Sequence, residues 1–336
     1  MAVFYLLHKA KGMDIKMKLI NFQDIKKLNI SPKQCYEWTD EMIRNKNNTV
    51  LPPKISLKPV DGAFINVMPC LLKDILNGKN SWGGSKIVTR YPNRQPILDS
   101  MLFLFDAQTG ECLSLMDANW ITAMRTGAVA AHSIHLLAKS NFSNIAVLGL
   151  GNTARAALLV LSEIMPEREF YFKLLKYKGQ ELIFEERFQK IKNFHFTYTD
   201  SYEELIKGAD VVLSCVTYFE DDICDNNCFG EGVLVVPIHT RGFSNCDLFF
   251  DKITADDYGH VHHFKNFDKF KYFAEVADIV NGKAKGREND KERILAYNIG
   301  LAIHDINFAA HIYDLLKDNE DLEQIDLKAP NSKFWI

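Results

Sequence analysis

The sequence has no cysteine framework, no membrane-length apolar run and no excess of either charge. Its seven cysteines (35, 70, 112, 215, 224, 228 and 246) are odd in number and scattered, without paired CxxC spacing. They read as reduced thiols and suggest a cytoplasmic protein. No apolar stretch approaches the ~18 residues a membrane span needs, and the N-terminal Val3–Leu7 run is only five residues long with no small-residue cleavage site after it. Neither membrane insertion nor secretion is expected. Forty Lys and Arg against forty-three Asp and Glu leave a net charge of −3, so no global field favours nucleic acid or anionic lipid as a partner. Repeats, low-complexity tracts and linkers rich in Pro, Gly or Ser are also missing.

What is present is the balance of an ordinary globular protein: 336 residues, 47% hydrophobic, 12% aromatic and 25% charged. At ~150 residues per domain this suggests about two domains with room for a cleft. Residues 1–16 read as a loose arm or the product of an upstream start codon, because the strand-like Leu19-Ile20-Asn21-Phe22 follows Met13 and Met17 closely. Ser31-Pro32 opens a helix over about 32–46, with Cys35, Trp38 and Met42 at helical spacing. Short β segments follow at Ile55–Val60, Ala63–Met68, Lys86–Tyr91, Met101–Asp106 and Glu111–Met116. They suggest a mostly antiparallel sheet.

Asp117–Lys139 then repeats apolar residues at helical period. Beyond it, strands at 144–149, 170–176, 194–198, 209–216, 233–239 and 252–255 alternate with helices such as 153–164 and 201–207. That rhythm predicts βαβ units on a doubly wound parallel sheet over 126–303, set within a smaller α+β part. The smaller part is 17–125, and an amphipathic helix of about 304–318, within 304–336, returns to it.

Asn144–Leu148 runs into Gly149-Leu150-Gly151-Asn152-Thr153-Ala154, and a helix begins at once. This is the G-x-G-x-x-A dinucleotide fingerprint in its strand–turn–helix context, so the parallel sheet is expected to be Rossmann-type. Gly149 permits the tight turn and Gly151 admits the pyrophosphate. Ala154 packs the helix closely, while the first helical residues, Asn152 and Thr153, turn their N–H groups to the anion. The end of the second strand, where an acidic residue holds the ribose of NAD, reads Leu174-Leu175-Lys176-Tyr177-Lys178. Two cations suit a 2′-phosphate, so NADP(H) is favoured over NAD(H), with both left open.

Met116-Asp117-Ala118-Asn119-Trp120-Ile121-Thr122-Ala123-Met124-Arg125-Thr126-Gly127-Ala128 resembles the signature helix of the ornithine cyclodeaminase/μ-crystallin family. Met68-Pro69, Gly83-Gly84-Ser85-Lys86, Gly286-Arg287-Glu288 and Tyr297-Asn298-Ile299-Gly300 through Asp305 agree with it in order and spacing. The resemblance implies a split substrate-binding and dimerisation domain around a Rossmann domain, and hence a homodimer. It assigns Lys86 and Arg125 to the α-carboxylate of an amino or imino acid, with Lys86 also placed to move a proton. Arginine offers a planar fork for that task. A third family cation, an arginine, is matched by Lys54 after Pro52-Pro53. Thr126, Asn298 and Gly300 fall at positions near the cofactor, and Asp305 is expected to brace the domain junction.

One departure stands out. The cyclodeaminases carry an aspartate after the fifth Rossmann strand, whereas Val233–Cys246 holds no carboxylate and offers His239 and Arg241 instead. His239, at a strand's C-terminal end, is the remaining candidate general acid or base. Arg241 faces either the pocket or solvent and cofactor phosphate. With Lys54, Lys86, Arg125 and Arg241, the surplus of positive charge predicts a substrate with a second carboxylate.

Three other signals are set aside. His260-x-His262-His263 after Asp256-Asp257 reads as a surface loop and no metal is expected. Cys224 and Cys228 read as loop thiols, and Phe264, Phe267, Phe270 and Phe273 as the buried face of a helix. The expected function is an NAD(P)-dependent oxidoreductase transferring hydride at Cα of an amino or imino acid, dicarboxylic or opine-like. The alternatives are a true ornithine cyclodeaminase, which forms proline and ammonia, and a non-catalytic, μ-crystallin-like cofactor-binding protein.

Overall fold

The structure, a computed structural model, describes residues 16–75, 80–216, 219–239, 241–327 and 334. All but the last residue of the arm expected over 1–16 lies outside them. Two sheets organise the chain. The first contains β1 (Met17–Ile20), β2 (Thr49–Val50), β3 (Ile55–Leu57), β4 (Phe64–Ile75), β5 (Asn80–Arg90), β6 (Leu98–Asp106) and β7 (Cys112–Asp117). Its order is β16-β1-β7-β6-β5-β4-β2, with β16 (Gln324–Ile325) on one edge and β3 also paired to β4. All pairs are antiparallel except β1 with β7.

Period-two alternation divides this sheet into two unlike faces. Met68, Cys70 and Leu72 of β4, Trp82 and Val88 of β5, and Leu102 and Leu104 of β6 are buried on one side. On the other, Val67, Ile87, Phe103 and Phe105 are half-buried and Met101 is 52% exposed.

The first two helices start where the sequence supplies caps. Asn21 closes a capping box on α1 (Phe22–Lys27), which is why the strand expected to reach Phe22 stops at Ile20. Ser31 does the same for α2 (Pro32–Arg44). The long helix α3 (Asn119–Leu137) runs unbroken from the first sheet to the second.

The second sheet holds β8 (Asn144–Leu148), β9 (Phe170–Leu175), β10 (Phe194–Thr199), β11 (Val211–Ser214), β12 (Leu234–Pro237), β13 (Lys252–Ala255), β14 (Phe273–Glu275) and β15 (Ile294–Tyr297). Its order is β10-β9-β8-β11-β12-β15-β13-β14, and every pair is parallel. The connecting helices are α4 (Asn152–Ile164), α5 (Gln180–Glu186), α6 (Tyr202–Ile206), α7 (Cys246–Phe249), α8 (Tyr258–Val261) and α9 (Val276–Val280). This is the mixed α/β, Rossmann-type fold expected. Sequence reading missed β14 and β15, which are only three and four residues long. The phenylalanines at 264, 267, 270 and 273 do pack against the core. Phe264, Phe267 and Phe270 do so from a loop with one 3₁₀ turn at Phe267–Lys269 and Phe273 from the start of β14, not from a helix.

The last helix, α10 (Ala302–Leu316), begins two residues earlier than expected and is inserted between the buried face of the first sheet and α2 and α3. Gly84 on β5 allows this, since a Cβ there would lie 2.5 Å from Ile306 Cδ1. Among the described residues, no helix is long and apolar enough to cross a membrane.

Candidate active site

Lys86 occupies the buried face of β5, opposite Met68 on β4 and Leu102 on β6. It has no exposed surface. Because α10 rests on Gly84, the residue before Ile306 reaches the lysine: Lys86 Nζ lies 2.7 Å from Asp305 Oδ1. The same oxygen accepts from Arg125 Nε on α3 at 2.8 Å. One fully buried carboxylate thus joins two cations from two other elements. Asp305, expected to brace the domain junction, ties α10 to β5 and α3 and also sits at the centre of the cation cluster.

Among the described residues, no hydrogen-bond acceptor meets Arg125 Nη1 or Nη2. Asp305 therefore takes one edge of the guanidinium and leaves the fork free for a planar anion. Burial, reinforced by Arg125, pushes the Lys86 ammonium down to about 7 against the pull of Asp305. A lysine so placed exchanges its proton near neutral pH. Lys86 Nζ also donates to Thr122 Oγ1 at 3.3 Å.

Half-buried Lys54 lies within the electrostatic reach of Asp256 and Arg125, and burial lowers its pKa. Asp256 was not anticipated. It is buried, accepts the Gly300 N–H at 2.7 Å through Oδ2, and has no partner for Oδ1. Its carboxyl is raised by that burial. Gly300 in turn backs Arg125, since a Cβ on it would lie 3.0 Å from Nη1. The expected surplus of positive charge is therefore corrected: Asp305 and Asp256 stand among the cations. Sequence signals for both were faint. Asp305 interrupts the apolar run Leu301–Ile306, and Asp256 ends a wholly buried strand.

His239 lies just past the end of β12, with Nε2 2.7 Å from Ser214 Oγ and its ring 5.7 Å from that of Phe219. Burial drives it down to about 4, so the imidazole is neutral at pH 7 and suits a base better than an acid. Arg241 is exposed two residues further on. The histidines after Asp256 are engaged locally, His260 with Asp257 at 3.0 Å and His262 with the Tyr258 carbonyl at 3.2 Å. Among the described residues no three metal-ligating side chains form a group.

The fingerprint residues lie at the C-terminal end of β8. Gly149 has φ +79°, and a Cβ would meet the Cys215 carbonyl oxygen at 2.8 Å. Gly151 faces open space and serves as N-cap of α4 without any side chain covering the first amides. Asn152 and Thr153 begin that helix and Ala154 is fully buried. Thr126 bonds back to the Thr122 carbonyl at 2.6 Å. Asn298 accepts from Ser133, leaving its buried Nδ2 without a partner. An open helix N-terminus beside a glycine turn, with an orphaned amide nearby, fits a nicotinamide dinucleotide.

At the end of β9, where the ribose was expected, Lys176 pairs with Asp200 at 2.8 Å, and Lys178, at φ +52°, sits over the Tyr177 ring. The carboxylate missing from the end of β9 is thus supplied just beyond the neighbouring β10.

A nodulation efficiency protein, NfeD, of Rhizobium meliloti is 27% identical over 314 residues, covering 89% of this chain and 95% of that protein. The N-((2S)-2-amino-2-carboxyethyl)-L-glutamate dehydrogenase of Staphylococcus aureus is 25% identical over 326 residues, 90% of this chain and 96% of its own. The fold matches that of Thermococcus litoralis Delta(1)-pyrroline-2-carboxylate reductase, solved with NADH and L-proline, at a TM-score of 0.80 and 23% identity over 92% of this chain and all of that one. The ornithine cyclodeaminase/mu-crystallin family model matches residues 16–320, and the chain belongs to that family.

Proposed function

We propose that this protein is an NAD(P)-dependent oxidoreductase acting at the Cα of an amino or imino acid, with a dicarboxylic, opine-like substrate favoured. The observation that carries this reading is the shared Asp305 oxygen, which fixes Lys86 and Arg125 side by side while leaving the arginine fork unfilled. The fork holds an α-carboxylate, and Lys86, poised near 7, gives or takes the proton at the substrate nitrogen. His239 is the second candidate for that proton. The dinucleotide, held by Gly149, Gly151 and the first amides of α4, supplies the hydride chemistry when bound. Lys54 and Arg241 are proposed to meet the second carboxylate. Likeness to a relative named for an amino-carboxyethyl glutamate supports that choice.

A second reading rests on Asp256. A buried carboxylate with one unpartnered oxygen beside Lys54 could bind the distal amine that the 233–246 segment has no acid to meet. That would restore cyclodeamination. Incubating the protein with NADPH or NADH and a panel of keto acids plus amines, while following absorbance at 340 nm and ammonia, separates the two. Net cofactor oxidation supports the first reading, and ammonia from L-ornithine without net redox overturns it.

We further propose the division 17–125, 126–303 and 304–336, a homodimer formed through the outer face of the first sheet, and a cytoplasmic location. The half-buried Val67, Ile87, Phe103 and Phe105 and the exposed Met101 on that face support the dimer. Light scattering that gives a monomer at micromolar concentration removes it. The seven free thiols support a reducing compartment.

A further inference from the structure

Lys86 must be hydrogen-bonded in two states, because a site that moves a proton leaves the lysine sometimes as ammonium and sometimes as amine. As ammonium it has three N–H groups. One goes to Asp305 at 2.7 Å, one to Thr122 Oγ1 at 3.3 Å, and one is left for the substrate. Once a proton has gone, turning about the Cε–Nζ bond keeps an N–H on Asp305 and another toward the substrate. The new lone pair then needs a donor.

The other charged or titratable groups around the lysine cannot provide one cheaply. Arg125 on α3 gives Nε to Asp305 and keeps its Nη groups for the substrate carboxylate, and among the described residues no hydrogen bond joins Lys54 to Lys86. Cys70 on β4 is a thiol pushed up to about 12 by burial, and His304, beside Asp305 on α10, is driven down to about 3 by its own burial. Both stay uncharged through the neutral range.

Thr122 is different. Its Oγ1 lies 3.2 Å from Ser100 Oγ on β6, and Ser100 is buried, with its carbonyl tied to the Ala118 N–H at 2.9 Å. Two adjacent hydroxyls, each donor and acceptor, can run in either direction. In one, Lys86 donates to Thr122, which donates to Ser100. In the other, Ser100 donates to Thr122, which donates to the amine. No heavy atom moves between them.

We propose that the Thr122–Ser100 hydroxyl pair serves Lys86 in both protonation states, making Thr122 a positioning residue that sets where the lysine releases its proton. The inference rests on the assignment of Lys86 to proton transfer, so its test uses a readout that needs no turnover. Protein carrying ¹⁵N-labelled lysine is titrated by NMR, the Lys86 Nζ signal being identified by its loss in Lys86→Gln. The wild-type midpoint is expected near 7.

Thr122→Val should lower that midpoint by about one unit, because a bond accepted from an ammonium is stronger than one donated to an amine. Thr122→Ser should restore it, and Ser100→Ala should lower it by about a third as much, in line with the loss of a more distant bond. A midpoint in Thr122→Val within about 0.3 unit of wild type, well inside the expected change, overturns the proposal. So does a shift that Thr122→Ser fails to reverse. If the predicted shifts appear while Lys86→Gln keeps full turnover in the 340 nm assay, the proton-transfer assignment fails and the hydrogen-bond arrangement stands.

Discussion

The two ends of the active site are built in opposite ways. On the proposed assignment, recognition at the fingerprint is performed by backbone: a glycine at φ +79°, an uncovered helix N-terminus and a small residue that lets helix and strand close together, all within residues 149–154. At the cation cluster it is performed by side chains that meet from afar, Lys86 and Asp305 being 219 positions apart in the chain. A backbone site is specified by a short local string, whereas a side-chain site is specified only once the whole fold has closed. The backbone end therefore tolerates change beyond its few glycines, and the cluster does not.

The sharpest way to test this contrast is Lys86→Met. Turnover is expected to fall by about 10³-fold, the usual scale for losing a general acid or base. NAD(P)H affinity should be unmoved, and the thermal midpoint should stay level or rise by about 1–3 °C, since Asp305 keeps Arg125 as its partner and a costly buried charge is gone. A variant that binds cofactor poorly would show that the two ends are not separable. In the wild type the reductive rate should decline as pH rises through about 7, where Lys86 gives up its proton, and the oxidative rate should climb through the same range. A flat pH profile between 6 and 8.5 would count against Lys86 as the group involved.

Arg125→Lys comes next. The charge survives and the fork does not, so kcat/KM should drop by about 10- to 100-fold with cofactor binding retained. Unchanged kcat/KM would remove Arg125 from carboxylate binding.

Gly149→Ala probes the other end. Its Cβ would press on the Cys215 carbonyl, so dinucleotide affinity should fall by about tenfold, a cost of ~1.4 kcal/mol. A carboxylate inhibitor of the cation cluster should bind as before. Loss of inhibitor binding as well would mean that strain spreads between the sites.

The smallest effect is expected at the ribose. NADPH should bind more tightly than NADH, and Asp200→Asn should raise NADPH affinity a further two- to fivefold by releasing Lys176, the range of a single exposed ion pair. Fluorescence titration giving preference for NADH would reverse the cofactor assignment.

This contrast also explains what could be read in the sequence. The β8–turn–α4 unit, the β6–β7 hairpin and the capped start of α2 follow from local pattern, and each was expected close to where it is, whereas β4 was expected to end at Met68 and β5 to begin only at Lys86, and they run on to Ile75 and back to Asn80. The place of Asp305 among the cations was missed because nothing near residue 305 announces a lysine on β5. Asp256 and Asp200 were missed for the same reason, each acting on a residue of another element. Strand β14 escaped because three residues are too few for alternation to register, whereas β15 is as long as β11 to β13, which were expected, and the Phe264–Phe273 segment escaped because spaced aromatics do not tell a helix from a folded loop. The lysine, the arginine and Gly300 could be named because a family pattern had already joined distant residues.

Helix α3 has a consequence for how this enzyme can change. It carries Thr122, Arg125 and Thr126, and from Gly127 onward it packs against α4, whose N-terminus is proposed to receive the phosphates. On that proposal the carboxylate anchor stands on a rod that also seats the helix of the cofactor anchor, a rod whose length is fixed at ~1.5 Å per residue and whose facing turns by ~100° with each residue added. An insertion anywhere along that rod would swing the anchors apart instead of lengthening the reach between them. On the proposed assignment, substrates of a different size would be accommodated from the flanks, through the segments around Lys54 and Arg241, with the spacing of carboxylate and cofactor kept.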